Sequence, residues 1–321
     1  MEKSLGQALN AQLVKPKKQL GQYWLKRKSV LNKIIDSADL KKEDLVIEIG
    51  PGLGVLTKEL AEKAGKVIAI EKDHLLIPLL KEKFKNNKNV EIIEDDILRL
   101  VSSIEYRVSS IKNTEYKIPD TKYKIVANLP YYAATHIIRQ FLETKNKPEL
   151  MVLMLQKEVA QRVCAKPPLL RSSSFGGQAK MNLLAISIQL YADAKIIDYV
   201  SKNAFSPKPK VDSAIIKIKP LTNNKKSVDI DLFFKIVKAG FSQPRKQLLN
   251  NLSKNLKLPK EEIKIWLLKN NLKPEQRAES LTIDDWFVLT KYLNKFAPNS
   301  RFTNKFVREK KVTGTEKNDI L

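Results

Sequence analysis

Asn128-Leu129-Pro130-Tyr131 brings a side-chain amide, backbone carbonyls and an aromatic face together in four consecutive residues. The apolar run Tyr123 to Ala127 before it predicts a strand, and the periodic run Ala133 to Leu142 after it predicts a helix. A strand-to-helix corner of this make-up suits a flat heterocyclic base. The Asn128 oxygen and the Leu129 or Pro130 carbonyl would accept the two protons of an exocyclic amine, and the Tyr131 ring would stack on the base. The same residues also suit an ordinary turn, because proline presets φ and asparagine bonds its own backbone. The choice depends on what the neighbouring strands carry.

Upstream, Leu45 to Ile49 predicts a strand ending in Glu48-Ile49-Gly50-Pro51-Gly52-Leu53-Gly54, and Val55 to Ala61 then opens a helix. Glycines at such a corner let the backbone turn sharply and approach a ligand closely. A dinucleotide site would favour a small residue where Val55 stands. The next strand ends at Glu71, where a carboxylate can take both hydroxyls of a ribose, and the third ends near Asp96, where an acid can accept an adenine amine. Each acid alone would pass for a solvated strand end. Together with the glycine corner they fit S-adenosylmethionine, a nucleoside without phosphates, bound at the carboxyl ends of the strands.

Composition narrows the chemistry further. The 59 Lys+Arg residues outnumber 35 Asp+Glu for a formal charge of +24, which points to a polyanionic partner; a biased composition giving a merely solvated basic surface is the alternative. One cysteine, Cys164, excludes an internal disulfide, and two histidines, His74 and His136, provide no zinc cluster. Cys164 reads as a packing residue and both histidines as structural. No apolar run approaches the roughly 18 residues that span a bilayer, and no signal-type segment opens the chain, so the expectation is a soluble cytoplasmic protein with no membrane partner.

Further strands are expected at Val67 to Ile70, Val90 to Ile93, Leu150 to Leu155, Ile186 to Leu190 and Ala214 to Ile218. Continuous apolar runs separated by helices predict an α/β fold with a mostly parallel sheet covered on both faces. Residues 101–122 lack a period and read as a loop insertion; residues 166–177, rich in Pro, Ser and Gly, read as a second surface loop. Helical periodicity takes over after the last strand. The chain therefore divides into residues 1–225, an N-terminal arm plus the α/β domain, residues 226–296, a small helical domain, and residues 297–321, a basic and polar tail read as disordered.

Between Lys17 and about Tyr292 the chain resembles the ribosomal RNA adenine dimethyltransferases, in particular their small-subunit branch. The resemblance rests on Gln22-Tyr23-Trp24-Leu25, Glu48 to Gly54, Asn128 to Tyr131, Phe205-Ser206-Pro207-Lys208-Pro209-Lys210-Val211, Phe241 to Leu252 and Arg277-Ala278-Glu279-Ser280-Leu281. It implies a class I S-adenosylmethionine-dependent methyltransferase, Rossmann-like, with a seven-stranded sheet whose last strand, Ala214 to Ile218, inserts antiparallel. The implied cofactor residues are Tyr23, Leu25, Gly50, Glu71, Asp96 and Asn128. The implied catalytic residues are Asn128, Leu129, Pro130, Tyr131 and Phe205, with Phe205 on the second face of a flipped base. Two departures stand out: Tyr23 where the family usually has Asn or His, and Pro244 where it often has a second Arg.

The implied reaction is dimethylation at N6 of two adjacent adenines near the 3′ end of small-subunit (16S) rRNA, by a monomer that also takes part in small-subunit biogenesis on the immature small ribosomal subunit. Helices of the 226–296 domain would bind the RNA. The alternatives are a resistance-type enzyme acting on large-subunit (23S) rRNA and a non-catalytic ribosome-assembly protein that binds RNA.

Overall fold

The computed structural model describes residues 16, 22–105, 122–131, 133–167, 180–221 and 228–296. Cα packing divides the chain into one unit of Met1–Cys164 with Tyr191–Thr222 and a second of Ala165–Leu190 with Asn223–Leu321.

Among the described residues the first unit has nine strands: β1 (Trp24–Leu25), β2 (Leu45–Ile49), β3 (Lys66–Glu71), β4 (Val90–Glu94), β5 (Lys124–Asn128), β6 (Leu150–Gln156), β7 (Ala192–Val200), β8 (Phe205–Ser206) and β9 (Ser213–Pro220). Its helices are α1 (Lys28–Ala38), α2 (Val55–Lys63), α3 (Ile77–Phe84), α4 (Ile97–Glu105), α5 (Ala134–Glu143) and α6 (Lys157–Val163). Seven strands form one sheet in the order β4-β3-β2-β5-β6-β9-β7. The strands from β4 to β6 run parallel, while β9 lies antiparallel between β6 and β7, the insertion expected of the last strand.

Helices connect the parallel strands, and the central ones are mainly apolar: Val46, Ile47, Val126, Ala127, Val152 and Leu153 are all fully buried. Helix α1 follows from spacing alone. It turns Val30, Leu31, Ile34, Ile35 and Ala38 inward and stops at Asp39, which adopts the left-handed conformation at φ 46°. Because β2 changes neighbour from β3 to β5, the sheet has its switch point where β2 ends, and a crevice opens there.

Residues 186–190, expected as a strand, lie instead in helix α7 (Leu183–Gln189) and at its C-cap, Leu190, in the second unit. The run Leu183-Leu184-Ala185-Ile186-Ser187-Ile188 is too short for its period to separate helix from strand. The Asn182 side chain decides the matter, accepting the Ala185 N–H at 3.1 Å and so capping the helix. The true strand is β7, an edge strand in which exposed Asp193 and Lys195 alternate with buried Ala192 and Ala194 and a register shift falls between Ile196 and Asp198. The expected 101–122 insertion also begins later, because α4 runs to Glu105. Residues 106–121, most of the 166–177 loop, residues 1–15 and the 297–321 tail lie outside the described residues.

The second unit also contains α8 (Ile230–Phe241), α9 (Leu248–Leu256), α10 (Lys260–Lys269) and α11 (Ile283–Phe296). Asp229 caps α8 by accepting the Asp231 and Leu232 N–H groups. Trp266, Trp286 and Phe233 fill its core. Gly240 is fixed by packing: a Cβ there would stand 2.4 Å from the Trp286 ring.

Candidate active site

The crevice at the carboxyl ends of β2, β3 and β5 is lined by the glycine corner, by Glu71, by Asp96 and by the Asn128 corner, with Gln22 to Leu25 closing one side. The corner after β2 is held open by backbone conformation and by packing behind it. Gly54 sits at φ 68°, where a Cβ would meet the Phe84 ring at 2.6 Å, whereas Gly50, at φ 67°, has no atom within 4 Å of where its Cβ would be. The Lys83 ammonium ties the back of the corner down, donating to the Leu53 carbonyl at 2.6 Å and the Gly54 carbonyl at 3.3 Å. The open side at Gly50 thus faces space, and the rigid side at Gly54 faces α3.

Three acids stand around this corner in different electrostatic states. Glu71 is buried, and its two oxygens accept the Gly52 N–H at 3.1 Å and the Asp73 N–H at 2.9 Å; burial nevertheless raises its carboxyl above the usual range. Burial also acts to raise Asp96, but the Lys72 ammonium at 2.7 Å, the Leu98 N–H at 3.0 Å and the charge of Arg99 outweigh it and hold the group below its ordinary value. Glu48, on β2, is 1% exposed, and its Oε2 has no hydrogen-bond partner among the described residues. Burial, reinforced by the charge of Glu71, pushes its carboxyl up to about 8. Sequence reasoning gave Glu48 no role of its own; its only signal is a lone acid inside an otherwise apolar strand run, Leu45 to Ile49.

The Asn128 corner has a defined hydrogen-bond pattern. The Asn128 Nδ2 donates to the Tyr23 carbonyl at 3.1 Å, which leaves Oδ1 as the acceptor. Leu129 is buried, its N–H donating to the Met154 carbonyl at 3.1 Å, and its own carbonyl takes no hydrogen bond from the described residues. The Pro130 carbonyl turns back to accept the Ala133 N–H at 3.2 Å, starting α5. Of the two carbonyls proposed as acceptors, Leu129's is therefore the one with no partner among the described residues. The Tyr131 hydroxyl lies 2.9 Å from the Ser213 Oγ, and burial raises its pKa above the ordinary tyrosine value, keeping the phenol protonated.

Tyr23, Leu25, Gly50, Glu71, Asp96, Asn128 and Pro130 thus surround one pocket. Leu129 and Tyr131 stand at its edge, outside the lining itself. Phe205 is not among the lining residues of that pocket; it pairs with Leu25, which is, across β1 and β8, and belongs to the same core cluster as Leu25, Val30 and Ile34. Sequence reasoning also missed Gln22, Lys72 and Lys83, long polar side chains whose reach back to Asp73, Asp96 and Leu53 only the folded loops reveal. His74 and His136 are both exposed and carry no packing role, whereas Cys164 is buried as expected.

A mostly parallel seven-stranded sheet with an inserted antiparallel strand, a glycine corner at its switch point and acids at the next two strand ends define a class I S-adenosylmethionine-dependent methyltransferase. The residues present fit that cofactor: an open cradle at Gly50, carboxylates at Glu71 and Asp96, and the unpartnered buried oxygen of Glu48. The chain belongs to the ribosomal RNA adenine dimethylase family, whose model matches residues 14–295. It is 44% identical over 274 residues to the ribosomal RNA small subunit methyltransferase A of Dehalococcoides mccartyi strain CBDB1, covering 85% of this chain and 87% of that protein. The protein of the same description from Alkaliphilus oremlandii is 40% identical over 280 residues, covering 87% and 92%. Among solved structures, a dimethyladenosine transferase from Plasmodium falciparum aligns with a TM-score of 0.64 at 27% identity, over 85% of this chain and 98% of that one. The 23S rRNA methyltransferase ErmE has the same TM-score at 22% identity, over 84% and 99%, a likeness of fold.

Proposed function

We propose that this protein transfers methyl groups from S-adenosylmethionine to N6 of two adjacent adenines near the 3′ end of small-subunit (16S) rRNA, within the immature small ribosomal subunit. The observation that carries this reading is the Asn128 amide, which lines the cofactor pocket and is fixed through Nδ2, so that Oδ1 is its acceptor end, next to a Leu129 carbonyl that takes no hydrogen bond from the described residues. The match, over 85% and 87% of the chain, to proteins described as small subunit methyltransferase A supports this substrate over large-subunit RNA.

Bound cofactor supplies an electrophilic methyl group on sulfur. An adenine amine is a poor nucleophile because its lone pair is delocalised into the ring. Hydrogen bonds from its two protons to Asn128 Oδ1 and the Leu129 carbonyl favour a pyramidal nitrogen and aim the lone pair, a contribution from positioning and electrostatics. No strong base is required, since the methylated ammonium is acidic and loses its proton readily; the exposure of both histidines away from the pocket lining agrees with this. Tyr131 provides one stacking face for the base. After the first transfer the amine keeps one proton, so the second transfer uses one acceptor of the pair.

The protein acts as a cytoplasmic monomer in this reading, with its net charge of +24 drawing it to rRNA and the helices of the 226–296 region contributing to RNA binding. Among the described residues no helix is long and apolar enough to cross a membrane. Mass spectrometry of rRNA after incubation of immature small subunits with protein and cofactor tests the reading. N6,N6-dimethyladenosine at two neighbouring 16S positions is expected; modification of 23S rRNA alone would reject it.

A further inference from the structure

Each glycine of the corner after β2 has its amide tied to a neighbour. The Gly50 N–H donates to the Ile70 carbonyl at 2.9 Å, the Gly52 N–H to the Glu71 carboxylate at 3.1 Å and the Gly54 N–H to the Pro51 carbonyl at 2.9 Å. The carbonyls that end the corner are held from α3 instead. Lys83 and Phe84, consecutive in its last turn, grip Gly54 between them. The Lys83 ammonium donates to the Leu53 carbonyl at 2.6 Å and the Gly54 carbonyl at 3.3 Å, while the Phe84 ring fills the place a Gly54 Cβ would take.

That placement is not the one a surface lysine takes by default. A lysine in the last turn of a helix can carry its ammonium out into water on a flexible stem. Lys83 withdraws it, and burial, with the charge of Lys58 acting the same way and that of Glu48 opposing, lowers its pKa from the ordinary lysine value. The two carbonyls offset that cost. The ammonium's charge is also felt at Glu48, where it opposes the rise that burial imposes. Lys83 itself does not line the pocket, whereas Leu53 does, so its action on a bound cofactor runs through the corner's backbone.

Glycine-rich backbone loses more conformational freedom on being fixed than any other. A corner fixed in advance spares that loss at the moment of binding. We propose that Lys83 is a positioning residue of the methyltransferase: by holding the Leu53 and Gly54 carbonyls, it keeps the glycine corner in the conformation that accepts S-adenosylmethionine. The inference concerns the cofactor half of the site and stands whichever RNA is methylated.

Lys83→Met keeps most of the aliphatic stem and removes the donor. A corner that is competent for only part of the time binds with Kd raised by the inverse of that fraction, so competence for about 5 to 20% of the time weakens affinity about 5- to 20-fold. Calorimetry with S-adenosylhomocysteine should read that loss, and the KM for S-adenosylmethionine should rise alike, with kcat at saturation and the KM for RNA within about twofold of the parent. Hydrogen exchange of the protein alone gives a readout independent of ligand: the Gly50, Gly52 and Gly54 amides should exchange faster in Lys83→Met. Lys83→Arg, which keeps a donor, should restore affinity, and Lys81→Met, the same charge change on the same helix, should leave it unaltered. The sign separates positioning from charge. Removing a cation by electrostatics alone tightens binding of the sulfonium ligand and spares S-adenosylhomocysteine, whereas a loosened corner weakens both. Parent-like affinity of Lys83→Met for both ligands would overturn the inference, even beside a lowered Tm; so would tighter binding of S-adenosylmethionine, or a Lys81→Met variant equally impaired.

Discussion

Asn128 and Tyr23, 105 residues apart in sequence, are joined by one hydrogen bond of 3.1 Å from the Asn128 amide to the Tyr23 carbonyl. An asparagine amide carries a donor end and an acceptor end, and committing the donor fixes where the acceptor points. The bond therefore makes the N-terminal segment part of the acceptor geometry. Gln22 extends the same tie to Asp73 beyond β3, so residues 22–25 link the ends of two strands across the pocket.

Asn128→Ala removes the side-chain acceptor but leaves the Leu129 carbonyl and the glycine corner intact. Loss of one preorganised polar contact to the reacting group costs about 100- to 1000-fold in rate. Single-turnover methyl transfer should fall at least that far, with cofactor affinity within about tenfold of the parent. Retained full transfer by the variant would sink the mechanism.

Two glycines of one corner should fail in different ways. Gly54→Ala drives a methyl group to 2.6 Å from the Phe84 ring at φ 68°, so it should destabilise the fold by about 2 to 4 kcal/mol, visible as a lowered Tm. Phe84→Leu in the same chain should recover part of that loss by opening the contact. Gly50→Ala meets no atom within 4 Å, so beyond its backbone strain of about 1 to 2 kcal/mol it should act mainly by weakening cofactor binding. Equal effects of both substitutions on Tm and on cofactor affinity would contradict this division.

The sheet was legible because its central strands are buried on both faces and read as unbroken apolar runs, and the corners because glycine and proline punctuate them. Strand β7 was not, because an edge strand bearing Asp193 and Lys195 looks polar while the neighbouring capped helix α7 looks like a strand. At the site, residue types at strand ends marked Gly50, Glu71, Asp96 and Asn128, which depend on local geometry. Phe205 stands beside Leu25 because β1 pairs with β8 across 180 residues, a contact that no local pattern reveals. Lys83 and Lys72 were invisible for a related reason: long side chains choose partners by where loops fold.

RNA affinity should depend steeply on salt. With a formal charge of +24, phosphate contacts by Lys and Arg release counterions, and log Kd should rise linearly with log salt at a slope of about 0.7 to 0.9 per phosphate neutralised. Filter binding of small-subunit rRNA between about 50 and 200 mM salt measures it; for six or more contacts the loss is about 1000-fold or greater. A flat profile would show that the basic surface is merely solvated.

Glu48 gives the fold a pH dependence of defined sign. Its carboxyl titrates near 8 in the folded protein and near 4.5 as a free side chain, so the folded state holds the proton more tightly. The stability it contributes is complete below about 4.5 and is lost as pH rises through about 8, with a slope of up to about 1.4 kcal/mol per pH unit between. Glu48→Gln keeps the shape and removes the titration, so its Tm should fall less than the parent's between pH 5 and pH 8. Glu71, raised in the same direction, leaves a residual slope in that variant. Glu48 lines the pocket, so a cationic cofactor bound there would favour its ionised form, and binding should release a proton below pH 8. Calorimetry of S-adenosylmethionine binding in buffers of different ionisation enthalpy reads that proton directly. Proton release in the parent and its loss in Glu48→Gln are the expected results, and equal release in both would place the titrating group elsewhere.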